Sequence, residues 1–320
     1  MRAIIQPRYG EPESVELAEV PVPDPGTGEV LVRVHASSAN AADVEILDGT
    51  AFVRLASPFR PKSRIVGSDI AGVVEHLGPG VTELEVGDQV MGDLSEFGYG
   101  AFAQYAAAPT KAVCRIPPGL SLADAAAVPS AAWVAIKAAR LIESEARVLI
   151  NGAGGAMGTF ALQMAKARGA HVTGVDSAAK LELVRSLGAD EAIDYATQDV
   201  TRADGRYDFV LDVFARRSVR DWQRILTPTG SYRMVGGSSL RILAGFAQGA
   251  RLSREGGQQL GLLVGWPQTR EDMAEVNALL ESGRLRPVIG HRFPLEDAAK
   301  ALRVVKDGRS MGKVVVDIES

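Results

Sequence analysis

Residues 147–158 read Arg-Val-Leu-Ile-Asn-Gly-Ala-Gly-Gly-Ala-Met-Gly, and this stretch decides the fold. The apolar run at residues 148–150 has the composition of a buried strand, and the glycines that follow indicate a tight turn. Residues 159–167 then carry helix-forming residues with apolar side chains at helical spacing. The stretch therefore predicts a strand, a turn and a helix in direct succession.

Three glycines in the turn, Gly152, Gly155 and Gly158, have the spacing of the dinucleotide-binding fingerprint. The first permits a sharp turn, the second lets a pyrophosphate approach the backbone, and the third lets the helix pack against the strand. Ala156 and Met157 lie at the predicted helix start, where free N–H groups and the helix dipole favour phosphate. We therefore predict that these five residues bind a nucleotide.

The residues after the helix strengthen this interpretation. Glycine-rich turns also occur without a ligand, so the glycine spacing alone is a weak signal. A second predicted strand, at residues 171–175, ends in Asp176, and an acidic residue at about that distance is the expected partner of a ribose hydroxyl. The succession of strand, helix, strand and acid favours a nucleotide site over a purely structural turn.

Length and composition exclude several classes of protein. The chain has 320 residues and a formal net charge of −4, and its length predicts two domains. Basic residues are not concentrated, so we expect neither nucleic acid nor an anionic membrane as a partner. No apolar run approaches ~20 residues, and the first residues lack a signal-peptide pattern, so we expect a cytoplasmic protein. Cys114 is the single cysteine, which excludes an internal disulfide and a multi-cysteine zinc site.

The pattern of the chain changes near residue 122. Before it, short apolar runs alternate with turn signals, which is typical of a compact barrel. After it, strands and helices alternate, which predicts a parallel, doubly wound α/β sheet. Predicted strands lie at residues 148–150, 172–175, 209–213, 232–235 and 260–264, with an irregular segment after residue 235. The tail is predicted to return to the first domain, so that the second domain is inserted into it with a cleft between them.

Several motifs now resemble the medium-chain dehydrogenase/reductase superfamily. Its core pattern is similar to Val-Gly-Ser-Asp-Ile-Ala-Gly-Val-Val at 66–74, Gly-Pro-Gly-Val-Thr at 78–82 and Val-Gly-Asp-Gln-Val at 86–90. Further motifs are similar to its zinc-free, quinone-reductase-like (zeta-crystallin-like) branch, and they lie at residues 40–43, 100–105, 293–295 and 312–316. The resemblance covers essentially the whole chain. It implies a Rossmann domain, 123–265, inserted into a GroES-like β-barrel domain, 1–122 and 266–320, and often a homodimer.

The resemblance also bears on zinc. By motif spacing, the zinc-ligand positions of related alcohol dehydrogenases fall here on Asn40, Ser68 and, less securely, Ser130. Catalytic zinc needs thiolate, imidazole or carboxylate ligands, which these residues do not supply. The four-cysteine structural lobe of those enzymes is absent as well. We therefore expect no zinc, and a substrate carbonyl that is activated without a metal.

The cofactor is expected to be NADP(H), with NAD(H) as the rival. Ser177, Lys180 and Tyr195 match the positions at which the NADPH-using quinone reductases contact the 2′-phosphate, and their donor groups suit a phosphate. Asp176 departs from that pattern, because a carboxylate there would accept from a ribose hydroxyl and repel a phosphate. A helix cap at Ser177, a solvated helix face at Lys180 and simple packing at Tyr195 are the alternatives.

The resemblance implies hydride transfer from the nicotinamide to a quinone or conjugated enone. Negative charge then develops on the substrate oxygen, and a hydrogen-bond donor aimed at that oxygen lowers the barrier. Asn40 is the candidate donor, and Asp43 is expected to orient Asn40 or the nicotinamide side. A turn or helix cap is the alternative for residues 40–43. Gly236 and Gly237, after the strand at 232–235, are expected to approach the nicotinamide, with an ordinary turn as the alternative.

The substrate itself is weakly encoded. A loop from residue 49 to 60, with Phe52 and Phe59, is expected to border an apolar substrate pocket, although both rings would also suit packing. Val134 occupies the position of a nicotinamide-contacting threonine in the family, which puts that contact in doubt. The segment 238–257 would suit a mobile lid, domain packing or a dimer contact. A zinc-free alcohol dehydrogenase or aldehyde reductase, and a non-catalytic nucleotide-binding protein, are the alternative functions.

Overall fold

The computed structural model describes residues 1–202, 205–237, 239–255, 257–263 and 267–319. It contains two compact units. Unit 1 comprises Met1–Ala131, Pro267–Glu281 and Pro287–Ser320, and unit 2 comprises Ala132–Trp266 and Ser282–Arg286. Unit 2 therefore interrupts unit 1 along the chain.

The helices and strands are numbered in chain order. The first group is β1 (Arg2–Ile5), β2 (Glu16–Glu19), β3 (Glu29–Ala39), α1 (Ala41–Asp48), α2 (Ala51–Ala56), β4 (Asp69–Leu77), β5 (Gln89–Asp93), β6 (Tyr105–Pro109), β7 (Val113–Arg115) and α3 (Leu122–Ala126). The second group is α4 (Pro129–Ala139), β8 (Arg147–Asn151), α5 (Ala156–Ala167), β9 (His171–Asp176), α6 (Leu181–Ser186), β10 (Glu191–Asp194), β11 (Tyr207–Asp212), α7 (Val219–Gln223), β12 (Leu226–Met234), α8 (Ser239–Glu255) and β13 (Gln259–Leu262). The last group is α9 (Arg270–Glu281), β14 (Ile289–Pro294), α10 (Ala298–Lys306) and β15 (Lys313–Asp317).

Unit 1 is built on a seven-stranded sheet in the order β14-β15-β3-β4-β5-β7, with β6 also paired to β3. All its pairs are antiparallel except β14 with β15. Strand β3 organises the sheet, because β6 pairs with its first half and β15 with its last residues. Its alternate residues Val30, Val32 and Val34 are fully buried, with the period of two that a strand imposes.

The first predicted boundary, between residues 122 and 123, falls before the division between the units. The reason is the short helix α3, which packs on β3, β4 and β5 of unit 1. Because apolar residues of α3 are buried against that sheet, the helix belongs to unit 1, although the sequence pattern already changes there. At the other end, β15 pairs with β3, so the tail completes the sheet of unit 1.

Unit 2 contains the predicted parallel, doubly wound sheet. Its strand order is β10-β9-β8-β11-β12-β13, and every pair is parallel. This is the strand order of the Rossmann fold, in which the order reverses between the first strand, β8, and the fourth, β11. All nine residues from Met157 to Ala165 of α5 are buried, so the helix is covered on more than its sheet side.

Some local predictions were wrong. The segment after residue 235 is not irregular, because residues 239–255 form helix α8, which packs against β13. The expected loop at 49–60 contains helix α2. The last strand of unit 2 is Gln259–Leu262, while residue 264 of the predicted strand and Ser238 of the predicted lid lie outside the described residues. None of the helices within the described ranges has both the length and the apolar character required to cross a membrane.

Candidate functional site

The glycine turn between β8 and α5 has the geometry that its sequence predicts. Gly152 has a φ of 88°, a left-handed conformation that favours glycine, and its N–H donates to Val175 O at 2.8 Å. A Cβ on Gly158 would lie 2.0 Å from Gly152 O, so only glycine lets α5 approach the turn. A Cβ on Gly155 would have its nearest neighbour at 3.4 Å, an ordinary contact. The turn and packing roles of the first and third glycines are thus explained by contacts within the protein.

Helix α5 begins at this turn with Gly155 as its N-cap. The first backbone N–H groups of a helix have no partner within the helix, and the helix dipole gives that end a partial positive charge. Gly155 and Ala156 are partly exposed, whereas Met157 is buried. The start of α5 can therefore accept an anionic group at the carboxyl edge of the sheet.

Asp176, at the end of β9, is bonded inside the turn. One carboxylate oxygen accepts from the N–H of Gly154 at 2.8 Å, and the other accepts from its neighbour Ser177 N–H at 2.8 Å. The ammonium of Lys180 lies 3.6 Å from the second oxygen. Asp176 is 5% exposed and Lys180 9% exposed. The carboxylate therefore holds the glycine turn to β9, and Lys180 is not on a solvated helix face.

The residues proposed for the ribose end of a nucleotide lie close together, and they are Asp176, Ser177, Lys180 and Tyr195. Asp194 of β10 pairs with Asp176 of β9, and the N–H of Tyr195 donates to Asp176 O at 3.2 Å. Ser177 is the N-cap of a short 3₁₀ helix that ends at Lys180, but its side chain makes no capping hydrogen bond. The ring of Tyr195 is 52% exposed, so it is not packed in the core. Because β9 and β10 are parallel, the residues that follow their carboxyl ends lie at the same edge of the sheet, beside the glycine turn.

A buried polar network that the sequence did not indicate lies at the same edge. Asp212, the last residue of β11, accepts from Asn151 Nδ2 at 2.7 Å and from the Tyr232 hydroxyl at 2.9 Å. Burial raises the pKa of Asp212, while these two donors lower it. The signal for this network would have been a polar residue at the end of each of two adjacent apolar strands.

Gly236 and Gly237 follow β12 and lie against the residues after β11. The N–H of Ala215 donates to Gly236 O at 3.1 Å, and Ala215 forms an isolated parallel bridge with Gly237. Gly237 has a φ of 153°, which only glycine adopts readily. The two glycines therefore extend the pairing past the carboxyl edge of the sheet. Phe214, beside this bridge, is 56% exposed.

In unit 1, Asn40 is the N-cap of α1, as the helix-cap alternative predicted. Its backbone N–H donates to Asp43 Oδ2 at 2.8 Å, which is one half of a capping box. Its side-chain nitrogen contacts three acceptors, Asp69 Oδ2 at 2.9 Å, Ser68 Oγ at 3.2 Å and Ser38 O at 3.3 Å. The cap and a role for the side-chain amide are therefore compatible, because they use different atoms.

Lys313 completes this group of side chains. Its ammonium, fully buried, donates to Asn40 Oδ1 at 2.6 Å and to Asp69 Oδ2 at 2.9 Å. We call Asn40, Ser68, Asp69 and Lys313 the Asn40 cluster. Sequence reasoning missed Asp69 and Lys313. The sequence did contain a signal for Lys313. It is the first residue of the apolar strand Lys313–Asp317, and a lysine in such a strand is buried only if it has a partner.

The three positions assigned to zinc ligands in the relatives converge here. Asn40 and Ser68 are in contact, and the N–H of Ser130 donates to Asp69 Oδ1 at 2.9 Å. Their amide, hydroxyl and peptide groups do not fit a zinc ion, which prefers thiolate, imidazole or carboxylate ligands. Throughout the described part of the chain, no group of three or more His, Cys, Asp and Glu side chains is arranged to hold a metal.

Two more carboxyl groups lie near the Asn40 cluster. Burial raises the pKa of Asp43 to about 8, and the charge of Asp69 adds to the effect. Burial and the same neighbour raise the pKa of Asp93 to about 6. Asp93 accepts from Ser95 N–H at 2.8 Å and from Gln268 Nε2 at 2.5 Å.

The residues expected to border a substrate are exposed. Phe52, on α2, is 45% exposed, and Phe59 is 93% exposed. Their rings are therefore not core packing within unit 1. Val134 lies on α4 and is half-buried.

Comparison with known proteins gave two family matches and a large set of relatives. Residues 26–118 match the family described as "Alcohol dehydrogenase GroES-like domain", and residues 187–316 match the one described as "Zinc-binding dehydrogenase". The chloroplastic quinone-oxidoreductase QR1 of Triphysaria versicolor is 30% identical over 332 residues, which cover 99% of this chain and 98% of that protein. The trans-enoyl reductase pgmF of Aspergillus terreus is 32% identical over 327 residues, which cover 93% of this chain and 90% of that protein.

Two solved structures have the same fold over nearly the whole chain. A quinone oxidoreductase from Coxiella burnetii superposes with a TM-score of 0.89 at 25% identity, covering 100% of this chain and 99% of its own. The Escherichia coli quinone oxidoreductase complexed with NADPH superposes with a TM-score of 0.87 at 24% identity, covering 99% of this chain and 100% of its own.

Proposed function

This chain belongs to the medium-chain dehydrogenase/reductase superfamily, in its quinone-oxidoreductase-like branch, and from that premise we propose how its residues serve the reaction. It is an NAD(P)H-dependent oxidoreductase that acts on quinone or enone substrates. The observation that carries the proposal is the glycine turn at the switch point of the Rossmann sheet. In such folds a dinucleotide binds at the carboxyl edge, with its pyrophosphate at the helix start.

We propose that the pyrophosphate lies against the start of α5, at Gly155, Ala156 and Met157. Gly155 supports this placement because a Cβ there would have a single neighbour within 4 Å, Gly152 O at 3.4 Å, so that side of its Cα is otherwise open. The partial positive charge of the helix end favours the phosphates. Gly152 and Gly158 would then contribute through the shape of the turn, since their own surroundings already require glycine.

We propose that NADP(H) is preferred over NAD(H). Asp176 argued against this choice in the sequence, because a free carboxylate repels a 2′-phosphate. One of its oxygens accepts from Gly154 N–H of the turn, the other accepts from its neighbour Ser177 N–H, and Lys180 lies beside it, so its charge is largely compensated. Ser177 and Tyr195, at the same edge, have hydroxyl groups that suit a phosphate.

The nicotinamide, when bound, supplies the hydride, and the protein must stabilise the charge that develops on the substrate oxygen. We propose the side-chain amide of Asn40 as the donor to that oxygen. Its nitrogen has two hydrogens for three acceptors, so the hydrogen shared between Ser68 at 3.2 Å and Ser38 at 3.3 Å is the weakly held one. The bond from Lys313 to the amide oxygen polarises the amide and strengthens its N–H groups as donors.

We also propose that the reaction needs no zinc and that Gly236 and Gly237 border the nicotinamide. The ammonium of Lys313 is ion-paired with Asp69, so the amide N–H groups of Asn40 are the donors proposed to take the place of a metal. Because these two glycines carry no side chain, a nicotinamide can approach the backbone closely at the carboxyl edge of β12.

A homodimer is part of the proposal. Strand β13 ends the sheet order of unit 2, and an edge strand offers unpaired N–H and C=O groups for pairing. On α8, which packs on β13, Leu240 is 80% exposed and Leu243 is 55% exposed. Light scattering coupled to size-exclusion chromatography would give twice the chain mass if this is correct.

The test of the proposed function is a titration with NADPH and with NADH, followed by nicotinamide fluorescence. A quinone, an enone and a simple aldehyde are then added separately, with EDTA present. We expect tighter binding of NADPH and its oxidation by the quinone or the enone. Failure to bind either nucleotide would contradict the reading of the glycine turn. Oxidation by the aldehyde alone would indicate an aldehyde reductase instead, and loss of turnover in EDTA would contradict the zinc-free mechanism.

A further inference from the structure

A cavity of about 200 Å³ lies in unit 2 at the end of α5 that is remote from the glycine turn. It is lined by the last turns of α5, by the end of α6 and by residues of the segment 284–286. At 1.5 Å per residue along the helix, about 16 Å separate Gly155 from Lys166. The cavity is therefore not part of the site proposed for the pyrophosphate of a nucleotide.

The charge of this cavity has one sign. The described residues that line it include three cations, Lys166, Arg284 and Arg286, and no carboxylate. We call these three side chains and the space between them the basic cavity. The whole chain has a formal net charge of −4, so this positive charge is a local feature. Cations that face one small space repel each other, and a bound anion would remove that repulsion.

The two arginines of the basic cavity have donors to spare. Both are exposed, and neither forms an ion pair within the described ranges. Arg284 Nε donates to Ser282 Oγ at 3.2 Å, and the guanidinium of Arg286 makes no hydrogen bond to the described part of the chain. Lys166 differs, because its ammonium donates to Asp190 Oδ2 at 2.7 Å and to Ala170 O at 3.0 Å. The guanidinium groups are therefore the main donors, and Lys166 is a partly neutralised neighbour.

A buried side chain of α5 holds Arg286 beside the cavity. Gln163 is 8% exposed, and its Oε1 accepts from the N–H of Arg286 at 3.0 Å. Its Nε2 donates to Arg286 O at 3.0 Å and to Thr159 O at 3.0 Å. These bonds fix the backbone of Arg286, so less of the segment has to be ordered when its guanidinium binds a ligand.

We propose that the basic cavity binds a small anion that carries a phosphate group. A guanidinium group presents two parallel N–H donors that match two oxygens of a phosphate, and this favours phosphate as the partner of Arg284 and Arg286. Pockets for drug-sized ligands have volumes of roughly 300–1,000 Å³, so the smaller basic cavity suits a small anion and not a dinucleotide. Such binding goes beyond the proposed reaction and does not depend on it.

The first test is isothermal titration calorimetry of the full chain with inorganic pyrophosphate at constant ionic strength. Arg286→Gln removes the guanidinium but keeps the backbone bonds to Gln163, so the variant should fold. We expect at least about 10-fold weaker binding, because hydrogen bonds between charged partners are strong. The matched control is Arg220→Gln, at an exposed arginine of α7 outside the cavity, which should change the affinity by less than about twofold.

The second test locates the anion. Phenylglyoxal modifies accessible arginines, and mass spectrometry measures the rate at each position. With pyrophosphate at about ten times its Kd, modification of Arg284 and Arg286 should slow by about tenfold, because only the unliganded protein reacts there. The rate at Arg220 should not change. Equal slowing at Arg220, or equal slowing by chloride at the same ionic strength, would indicate general screening and would overturn the proposal.

Pyrophosphate can also bind at the start of α5, and Gly155→Ala separates the two sites. In this variant the protection of Arg284 and Arg286 should remain as in the unmodified protein. If Gly155→Ala abolishes pyrophosphate binding and Arg286→Gln does not, the anion occupies only the start of α5, and the basic cavity is not a ligand site. Failure of the protein to bind any pyrophosphate would equally overturn the proposal. Failure to bind NADPH would bear on the proposed function alone.

Discussion

At the scale of single residues, the partners of a side chain determine what it can do. The backbone of Asn40 caps a helix, and its side-chain amide is the candidate donor to the substrate oxygen. Lys313 fixes the position of that amide by donating to its oxygen at 2.6 Å. Breaking a buried ion pair leaves an uncompensated charge, so the cluster is stable only when all its members are present. The position of the Asn40 amide is therefore a property of the cluster and not of Asn40 alone.

Asp176 leads to the first prediction at this scale. Because its carboxylate holds the N–H of Gly154, Asp176→Ala should leave that buried donor unsatisfied and loosen the glycine turn. We expect about 10-fold weaker binding of both NADPH and NADH, with little change in the ratio of the two affinities. Nicotinamide fluorescence titration measures both.

The matched control is Ser177→Ala, which removes a hydroxyl without touching the bond to Gly154. It should weaken NADPH and leave NADH unchanged. If Asp176→Ala instead strengthens NADPH and weakens NADH, the carboxylate faces the ribose, and our assignment of its role is incorrect.

At the scale of elements, the glycine turn combines two requirements that mutation can separate. Gly158 is needed for packing, since a Cβ would lie 2.0 Å from the backbone oxygen of Gly152. Gly155 has its nearest neighbour at 3.4 Å, so the protein itself tolerates a methyl group there. Only a bound phosphate would require glycine at that position.

We therefore predict different results for two alanine substitutions. Gly158→Ala should displace α5, lower the free energy of unfolding by about 1–3 kcal/mol and abolish nucleotide binding. Gly155→Ala should change the free energy of unfolding by less than about 0.5 kcal/mol while weakening nucleotide binding at least about 10-fold. Chemical denaturation and fluorescence titration measure the two effects. Equal nucleotide affinity in Gly155→Ala and the unmodified protein would place the pyrophosphate elsewhere.

At the scale of the whole molecule, the buried carboxyl groups make stability depend on pH. The folded-state pKa of Asp43 is raised from 3.8 to about 8, and that of Asp93 to about 6. Between their unfolded and folded pKa values, the native state binds more protons than the unfolded state. The free energy of unfolding should therefore fall as pH rises, from about pH 4 to 6 through both groups and up to about pH 8 through Asp43.

Denaturant unfolding at pH 5, 6.5 and 8 measures this slope. Asp43→Asn should flatten it and should be closest to the unmodified protein at pH 5, where Asp43 is protonated. Exposed carboxylates with lowered pKa, such as Glu11 beside Arg303 and Lys306, lose their stabilising charge only below about pH 4.5, outside the range of pH 5 to 8 that is measured. A free energy of unfolding that rises between pH 5 and 8 would contradict the protonation state inferred for Asp43.

The sequence by itself determined the features that depend on local patterns. Strand and helix periodicity predicted the doubly wound sheet, and glycine spacing predicted the turn at Gly152, because both signals lie within a few residues of one another. The motifs also predicted the family, and Asn40 and Asp43 were singled out. Local pattern did not predict α8, which contains Gly245 and Gly249, or α2, which has only 6 residues, because internal glycines and short length both weaken a helix signal.

Only the tertiary structure decided how distant residues meet. Lys313 contacts Asn40 although the two are remote along the chain, and no local pattern reports that pairing. Asp176, expected to accept from a ribose hydroxyl, also accepts from the N–H of Gly154 in the adjacent turn, a bond that no local pattern reports. The protonation of Asp43 depends on burial beside other carboxyl groups, and burial is a property of the folded chain.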